Sequence, residues 1–428
     1  MFVSSARRRR RRWPYALLAL LVLLGGGAAG AYFGFVQAPG DVTNPDVEFT
    51  APPEQGAEPP ERGRRDTRVL WPTYGYTPQR TRFLDANLKP PFKRLWSFGG
   101  SKLIEFPPVL AKQTLYFVKN NGEAYAISAR SGRVRWRKRV GRLAASSPSW
   151  SKGRVFITTL SGRVIALRAR DGRTLWARDL PSRSESSPLA MDGRVYFGSE
   201  DGTVYALRAR DGKTVWTHRA AGSVKSALAY SDGKLYFGDY AGQVTALRIS
   251  NGSVAWKATT EGRALNRSGN FYSTPTVAFG RVYLGNTDSR VYSFSARTGE
   301  LAWSKSTGAF VYAAPAISED PKPSVYIGSY DGTFYALDAR NGATRWTHEA
   351  GGRISGSATV VGDIVYFSNL GAKSTTGLSV NTGRPLWKFG RGAFTPVISD
   401  GERLYVTGYS SLYAFEPAGR SRRRGGSR

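Results

Sequence analysis

This sequence of 428 residues has no cysteine and only two histidines, and both shortages limit its chemistry. Without cysteine the chain has no disulfide, no thiolate metal site and no acylated cysteine. His218 and His348 lie far apart, each two residues after a repeated tryptophan, and we interpret both as surface residues of outer strands rather than as metal ligands. Serine is abundant, but no histidine is placed to activate it, and no phosphate-binding glycine motif occurs. We therefore predict no catalytic residue and no metal site.

Acidic residues are outnumbered. The chain has 31 Asp and Glu against 62 Lys and Arg, a formal net charge of +31. The terminal stretches Arg7–Arg12 and Arg420–Arg428 hold eleven of the arginines, so most of the excess charge belongs to the body of the chain. Such a surface attracts polyanions: anionic lipid headgroups, wall phosphate polymers, acidic proteins or nucleic acid. A proteome biased towards arginine, with all these charges solvated, is the alternative explanation.

One apolar run, Ala16 to Val36, follows the basic residues Arg7–Arg12. At about 1.5 Å per residue, a helix of this length spans roughly 30 Å, the hydrocarbon thickness of a bilayer. We predict a basic cytoplasmic segment over 1–14 and a transmembrane helix over 15–37, which places the rest of the chain outside the cell membrane. A cleaved signal peptide is the alternative, with a small-residue cleavage site at Ala29–Ala31.

Two further segments lack a core pattern. Residues 38–68 are rich in Pro and Glu and predict a semi-extended tether between the membrane and the folded domain. Residues 418–428 are rich in Gly, Ser and Arg and predict a basic, disordered tail.

Tryptophan recurs at a nearly fixed interval between these segments. Successive members of the series are 40, 40, 40, 40, 47, 43 and 41 residues apart: Trp96, Trp136, Trp176, Trp216, Trp256, Trp303, Trp346 and Trp387. Short alternating runs closed by Asp-Gly or Asn-Gly lie between them, as in Gly193–Gly198, Asp201–Ala206 and Asp211–Trp216. Such runs are typical of consecutive antiparallel hairpins, and the preceding apolar run gives a fourth strand per repeat. The repeat predicts an all-β fold, a β-propeller with one four-stranded blade per repeat.

The ends of the series predict how the ring closes. After Trp387 come three more strand patterns without a final tryptophan: Ala393–Ile398, Arg403–Thr407 and Ser411–Phe415. The missing fourth strand is available around Arg94–Phe98. Pairing the two chain ends in one blade closes the ring and leaves no unpaired edge. We predict eight blades over residues 69–417, the last of them shared between the ends.

The repeats carry a family resemblance. Ala336–Trp346 reads Ala-Leu-Asp-Ala-Arg-Asn-Gly-Ala-Thr-Arg-Trp. It resembles the motif of pyrroloquinoline-quinone (PQQ) type propeller repeats, alanine-x-aspartate-x-x-threonine-glycine-x-x-x-tryptophan. The opening Trp71–Arg82 is similar to the way those propellers begin, and the resemblance covers roughly Val69 to Phe415. In this motif the glycine allows a tight turn and the tryptophan packs on the neighbouring blade, so we predict a structural role for all eight tryptophans.

The resemblance implies two kinds of function. Quinoprotein dehydrogenases of this kind bind PQQ with Ca²⁺ through acidic and amide ligands and often carry a vicinal disulfide, whereas BamB-like members hold partner proteins. This chain has no cysteine for that disulfide and lacks long insertions around a cofactor pocket. We expect a membrane-anchored, non-enzymatic platform for an envelope protein, with no cofactor and no nucleic acid. A PQQ-dependent oxidoreductase and an electrostatic reader of anionic wall polymer or lipid headgroups are the alternatives.

The innermost strands of a propeller line its central channel, and the starts of these strands predict a binding site. Aligned on Pro188, the residues three positions before form a ring: Glu105, Ala145, Glu185, Lys225, Tyr272, Tyr312, Ser355 and Ala393. The longest repeat interval adds a loop, Thr259–Phe271, which we expect to reach the same face with Arg267 and Asn270. The predicted binding residues at the channel mouth are Glu105, Glu185, Lys225, Tyr272, Tyr312, Arg267 and Asn270. The alternatives are residues that only hydrate the mouth and a tolerated surface insertion.

Overall fold

Each tryptophan repeat folds as one antiparallel sheet, and eight such sheets form the blades of a propeller. The computed structural model describes residues 40–51, 71–260, 269–319, 322–395 and 397–419. Within these ranges the regular structure consists of strands, and none of it is a helix that could cross a bilayer. The predicted fold class, an all-β propeller with eight four-stranded blades, is confirmed. The span predicted over 15–37 lies outside the described residues.

The strands follow one another outward from the channel in each blade. Three strands precede the first blade: β1 (Val42–Thr43), β2 (Phe83–Leu84) and β3 (Phe92–Phe98). Blades 1 and 2 contain β4 to β11: Val109–Ala111, Thr114–Lys119, Glu123–Ser128, Val134–Arg139, Ser149–Ser151, Arg154–Thr159, Arg163–Arg168 and Thr174–Asp179. Blades 3 and 4 contain β12 to β19: Leu189–Met191, Arg194–Gly198, Thr203–Arg208, Thr214–Arg219, Ala229–Ser231, Lys234–Gly238, Gln243–Arg248 and Val254–Thr259.

The remaining blades complete the ring. Blades 5 and 6 contain β20 to β27: Thr276–Ala278, Arg281–Asn286, Arg290–Ser295, Leu301–Ser306, Ala316–Ser318, Ser324–Gly328, Thr333–Asp338 and Thr344–Glu349. Blade 7 contains β28 to β31: Thr359–Val361, Ile364–Asn369, Ser374–Ser379 and Pro385–Phe389. Blade 8 contains β32 to β34, Val397–Ser399, Leu404–Thr407 and Leu412–Pro417, and takes β3 as its outer strand, with Trp96 opposite Ala414. The predicted closure by the two chain ends is confirmed.

Burial along a blade explains its sequence pattern. In blade 3 the middle strands β13 and β14 are buried at almost every position, because the neighbouring blades cover both faces of the sheet. In the outer strand β15 only Trp216 is buried. The turn between β14 and β15 contains Gly212 at φ 71°, a left-handed conformation that glycine adopts without strain.

Tryptophan links each blade to the next. Seven indole N–H groups donate to a backbone carbonyl of the following blade at 2.8–3.1 Å: Trp96 to Ala129, Trp136 to Ala169, Trp176 to Ala209, Trp216 to Ile249, Trp256 to Ala296, Trp303 to Ala339 and Trp346 to Val380. The indole ring also covers the turn glycine of that blade, so closely that a Cβ on Gly252 would lie 2.5 Å from the ring of Trp216. Trp387, the last of the series, instead packs edge-on against Phe92 and Phe415.

A segment that we call the strap (residues 40–51) lies on blade 5, within the region predicted as a tether. Its strand β1 pairs with the outer strand β23, and Val47 is buried against the blade. The buried guanidinium of Arg281 donates to the carbonyls of Val47 and Glu48, and that of Arg290 donates to Gly40 O at 3.0 Å. The strap thus adds a fifth strand to the sheet of blade 5. Its carbonyl groups accept hydrogen bonds from the buried arginines of β21 and β22, which would otherwise lack these acceptors.

We predict that Trp216→Ala weakens the ring. The indole is 8% exposed and both packs on Gly252 and donates to Ile249 O, so its removal leaves a cavity between blades 3 and 4 and takes away one of the two hydrogen bonds that this carbonyl accepts, the other coming from Arg194. Truncation of a buried aromatic residue costs about 3–5 kcal/mol. Chemical denaturation should show this loss of unfolding free energy. Val215→Ala, at the exposed neighbouring position, is the control, and equal stability of the two variants would contradict a structural role for Trp216.

Candidate functional site

The ring predicted at the channel mouth surrounds one cavity. Each inner strand is short, and the residues just before it turn towards the channel axis. Six of the eight ring members line the cavity: Glu105, Glu185, Lys225, Tyr272, Tyr312 and Ser355. The cavity volume is about 60 Å³. Ala145 and Ala393 are buried and do not line it, which makes the ring chemically asymmetric.

The floor of the cavity is a segment that we call the plug (residues 71–84). Its backbone accepts or donates hydrogen bonds at the middle of six inner strands, the partners being Leu110, Trp150, Tyr230, Val277, Ile317 and Val360. Tyr74 lines the cavity from below, and its hydroxyl lies 2.7 Å from Ser357 Oγ. The plug therefore closes the channel under the ring, and only the mouth side remains open.

Two fully buried arginines hold the plug in place. Arg80 donates from Nε to Leu228 O at 2.9 Å, and Arg82 donates to Thr276 Oγ1 at 3.1 Å. Burial, together with the charge of Arg82, lowers the pKa of Arg80 to about 9. The guanidinium of Arg82 lies 4.7 Å from the ring centre of Tyr74, which fixes the floor of the cavity. Both arginines stand at positive φ, a strained conformation that the surrounding hydrogen bonds maintain.

A chain of alternating charges occupies one side of the cavity. Lys225 Nζ lies 3.0 Å from Glu185 Oε1 and 3.2 Å from Glu200 Oε1, and Glu200 also pairs with Arg183 at 2.6 Å. Burial alone would lower the pKa of Lys225, but the hydrogen bonds and charges of the two glutamates outweigh it and raise that pKa. For Glu200, burial is outweighed by Arg183 and Lys225, and its pKa is lowered. This side of the cavity is charged and internally paired.

Glu105, two blades before Glu185 in the ring, is different. Among the described residues no side chain donates a hydrogen bond to it or forms an ion pair with it. Burial and the negative charge of Glu185 raise the pKa of Glu105. The cavity thus holds two glutamates against one lysine, a negative site in a strongly basic chain.

Aromatic rings form the part of the mouth next to the charged side. Tyr272 donates its hydroxyl to Glu185 Oε2 at 3.3 Å, and its ring lies edge-on to Tyr312 at 5.8 Å between centroids. Tyr312 packs in turn against Tyr330 at 4.8 Å and Phe310 at 6.0 Å. Burial, followed by the charge of Glu185, raises the pKa of Tyr272 well above its ordinary value, so its hydroxyl is a donor at neutral pH.

Three large apolar side chains stand exposed in loops around this mouth: Leu143, Phe310 and Tyr409, at 53%, 40% and 52%. Phe310 contacts Tyr312 of the cavity, and Tyr409 lies 6.3 Å from Phe394, which also lines it. We call the cavity lining and these three side chains the channel face. The aromatic surface therefore continues from the cavity out to solvent.

The structure brings only part of the predicted site together. Asn270 lies beside the hairpin of blade 5, where its backbone N–H donates to Thr287 Oγ1, and it does not line the cavity. Arg267 lies outside the described residues. His218 and His348 lie in β15 and β27, the outer strands of blades 3 and 6. In the described part of the chain, no three His, Asp or Glu side chains are grouped as a metal site would require.

Sequence reasoning missed several residues of the mouth. Glu200, Tyr240 and Tyr330 occupy equivalent hairpins between the second and third strands of three blades, and their backbone N–H groups bond to the loops that carry the ring. Aligning the repeats at this hairpin as well would have revealed a second ring of side chains around the channel mouth. Tyr74 gave no such signal, because the plug is not part of the repeat.

The fold and the mouth define a plugged propeller with a mixed charged and aromatic cavity. The chain belongs to the PQQ-type propeller family whose model is described as outer membrane protein assembly factor BamB, which matches residues 91–157, 120–320 and 321–423. Among curated protein sequences, none matches this chain.

Solved structures share the fold at low sequence identity. BamB from Moraxella catarrhalis is 17% identical, with a TM-score of 0.65 over 78% of this chain and 99% of that one. A quinohemoprotein alcohol dehydrogenase from Pseudomonas putida is 15% identical, with a TM-score of 0.69 over 84% and 82%. A europium-containing methanol dehydrogenase is 13% identical, with a TM-score of 0.71 over 82% and 98%. These structures include BamB as well as dehydrogenases, so the likeness shows the fold alone.

We predict that Glu105→Gln stabilises the protein at neutral pH. The folded-state pKa of Glu105 is raised, so the folded protein binds its proton more tightly than the unfolded chain does. The free energy of unfolding therefore falls as pH rises, first past the pKa of Glu105 in the unfolded chain and then past its pKa in the folded protein. Glutamine does not ionise, so the variant does not lose this free energy. Denaturation across pH should show a gain for Glu105→Gln at pH 7 that disappears below about pH 4. Glu319→Gln, at an exposed site outside the cavity, is the control, and a gain independent of pH would contradict the assignment.

Proposed function

We propose that this chain is a non-enzymatic binding platform of the cell envelope, with the channel face as the contact surface for a partner protein. The observation that carries the proposal is the continuous aromatic surface from Tyr272 and Tyr312 to the exposed Phe310. Rigid aromatic side chains beside buried charges are the usual centre of a protein interface. Membership of the family described as an outer membrane protein assembly factor, together with the likeness to BamB from Moraxella catarrhalis, supports a partner in the envelope.

The proposal includes anchoring in the cell membrane through residues 15–37, with the propeller on the outer side. The basic residues Arg7–Arg12 and the following apolar run support this orientation. Gly40 O accepts a hydrogen bond from Arg290 of blade 5, and three residues of any chain span at most about 10 Å. A span that ends at residue 37 would therefore bring the outer strand of blade 5 close to the bilayer.

The PQQ-dependent oxidoreductase is the alternative that the enzyme structures favour, and the cavity of this chain does not fit it. Its volume of about 60 Å³ compares with about 300–1,000 Å³ for pockets of small-molecule ligands. A Ca²⁺ ion takes six to eight oxygen ligands. Glu185 is already bound to Lys225, which leaves Glu105 as the cavity's other carboxylate. The donor set is therefore poor for a calcium–quinone pair.

We predict that the purified protein does not become a dehydrogenase when PQQ and Ca²⁺ are added. The small cavity and the paired Glu185 leave no place for the quinone ring system beside a calcium ion. Dye-linked oxidation of alcohols and sugars should equal that of a control without protein. Turnover above this control would favour the oxidoreductase.

The platform is tested by two matched double variants. Phe310→Ser with Tyr409→Ser alters the channel face, and Leu175→Ser with Val215→Ser alters outer strands whose side chains are similarly exposed, at 41% and 42%. Loss of two interface anchors should weaken partner binding by about 30-fold or more, whereas the outer-strand pair should bind normally. The measurement is capture of partners from solubilised membranes with protein identification, followed by an affinity titration of the partner found. Equal binding by both variants, lost as salt rises, would favour the reader of anionic polymers or headgroups instead.

A further inference from the structure

A second cavity lies between blade 8 and blade 1, away from the central channel. It is an open groove of about 620 Å³, bounded by the end of β3, the following loop 99–102, the hairpin 119–123 and the outer strand β7. Its lining combines two aromatic rings, one aliphatic side chain and several charges: Phe98, Tyr125, Val134, Lys102, Lys119, Glu123 and Arg137. This groove is large enough for a small organic molecule.

Lys119 is the unusual residue in this groove. The residue as a whole is 4% exposed, but its ammonium group lines the groove and keeps contact with solvent. Among the described residues, none accepts a hydrogen bond from this ammonium group or forms an ion pair with it. The ammonium lies 5.1 Å from the ring centre of Phe98 and 5.3 Å from that of Tyr125, and these two rings hold it by cation–π attraction. Burial lowers the pKa of Lys119, against the charge of Glu123. The ammonium is therefore open to the groove and has no acceptor among the described residues, and an anion in the groove would give it a charge-assisted hydrogen bond.

The other charged side chains of the groove also favour an anion. Lys102 and Arg137 line it together with Lys119, and Glu123 is its carboxylate. Glu123 is already engaged, because Tyr125 donates to it at 3.0 Å and Asn121 at 3.2 Å. Three cations against one carboxylate leave two positive charges. A phosphate monoester carries about −1.5 to −2 at pH 7, which matches this excess better than a single carboxylate does.

Glycine at position 100 keeps the ammonium in place. A Cβ at Gly100 would collide with Lys119 Nζ, so any side chain there would displace the ammonium from the two rings. Gly100 lies in the loop that leaves the outer strand of blade 8. The space beside Lys119 thus depends on the absence of a side chain at this position.

We propose that the groove between blades 8 and 1 binds the phosphate group of a small phosphomonoester, with Lys119 as its central contact and Lys102 and Arg137 at its edges. Phe98 and Val134 provide apolar walls for the organic part of the ligand. The site uses neither the plug nor the ring at the channel mouth. It is therefore a separate site, whose existence does not depend on the platform function.

The test measures how well a phosphate protects Lys119 from amine acetylation in the full-length protein. The probes are inorganic phosphate, glycerol 3-phosphate and vesicles that contain phosphatidic acid, with acetate and chloride at the same ionic strength as controls. Mass spectrometry reports the acetylation of Lys119 relative to that of the exposed Lys213 in the same sample. We expect both soluble phosphates to protect Lys119 and leave Lys213 unchanged, whereas acetate and chloride protect neither.

Variants link the protection to the groove. Calorimetric titration with glycerol 3-phosphate should show about tenfold weaker binding for Lys119→Met and Gly100→Ala, the loss of one charge-assisted contact. Lys102→Gln should weaken binding by a smaller factor. Because Lys102 is exposed, this variant should fold, and it therefore tests the proposal even if the other two variants fail to fold. Lys213→Met is the matched control and should bind as the parent does.

The outcomes separate the possibilities. Protection by the soluble phosphates identifies a free phosphomonoester as the ligand, and protection by the vesicles alone identifies a lipid headgroup as the source of the phosphate. Equal protection by acetate or chloride would overturn the proposal, because it would mean general charge screening. Undiminished binding by the folded Lys119→Met or Lys102→Gln variant would overturn it as well.

Discussion

The contact between an indole and the turn glycine of the next blade is the constraint on which the whole molecule depends. Seven of the eight tryptophans donate to a carbonyl of the following blade while covering its glycine. A blade cannot bury both faces of its sheet alone, so each copy of this contact fixes the angle between two neighbours. Blade 8 lacks a tryptophan from its own end of the chain and receives Trp96 through β3, which joins the two ends of the chain in one sheet. The closed ring then determines how wide the channel is.

A ring closed in this way leaves backbone N–H and C=O groups of the inner strands without partners at its centre, and the plug forms hydrogen bonds with them. The plug bonds to the middle of six inner strands, and Arg80 and Arg82 supply further donors to carbonyls that no strand reaches. Burying two guanidinium groups is expensive and is tolerated because each makes several hydrogen bonds. The consequence is a channel closed at one level, so that the residues just above it form a cavity rather than a pore. The strap repeats this principle at the rim, where Arg281 and Arg290 bind carbonyl groups of residues 40–48.

The sequence predicted the parts of the molecule that repeat and missed those that occur once. The period of the tryptophans and the Asp-Gly turns predicted the blades and their closure, and alignment on Pro188 placed Glu105, Glu185, Lys225, Tyr272 and Tyr312 around one cavity. The plug and the strap have no copies elsewhere in the chain, and their hydrogen bonds run to carbonyls whose positions only the closed ring defines. Asn270 was predicted at the channel mouth because its loop is long. The length of a loop does not determine where the loop runs, so the sequence did not predict the bond from the backbone of Asn270 to Thr287.

The two sites of the molecule carry charges of opposite sign. A chain of net charge +31 surrounds a central cavity with two glutamates and one lysine, while the groove beside blade 1 has three cations and one carboxylate. The two sites are joined by a short piece of chain, because Lys102 of the groove is followed three residues later by Glu105 of the cavity. Lys102 and Glu105 both lie on the loop between the outer strand β3 and the inner strand β4, and such loops vary more readily than the strands of a blade. The positive field of the protein attracts anionic partners from a distance, but it does not distinguish between them. Selection therefore depends on these loops, where each site combines aromatic surface with a charge pattern of its own.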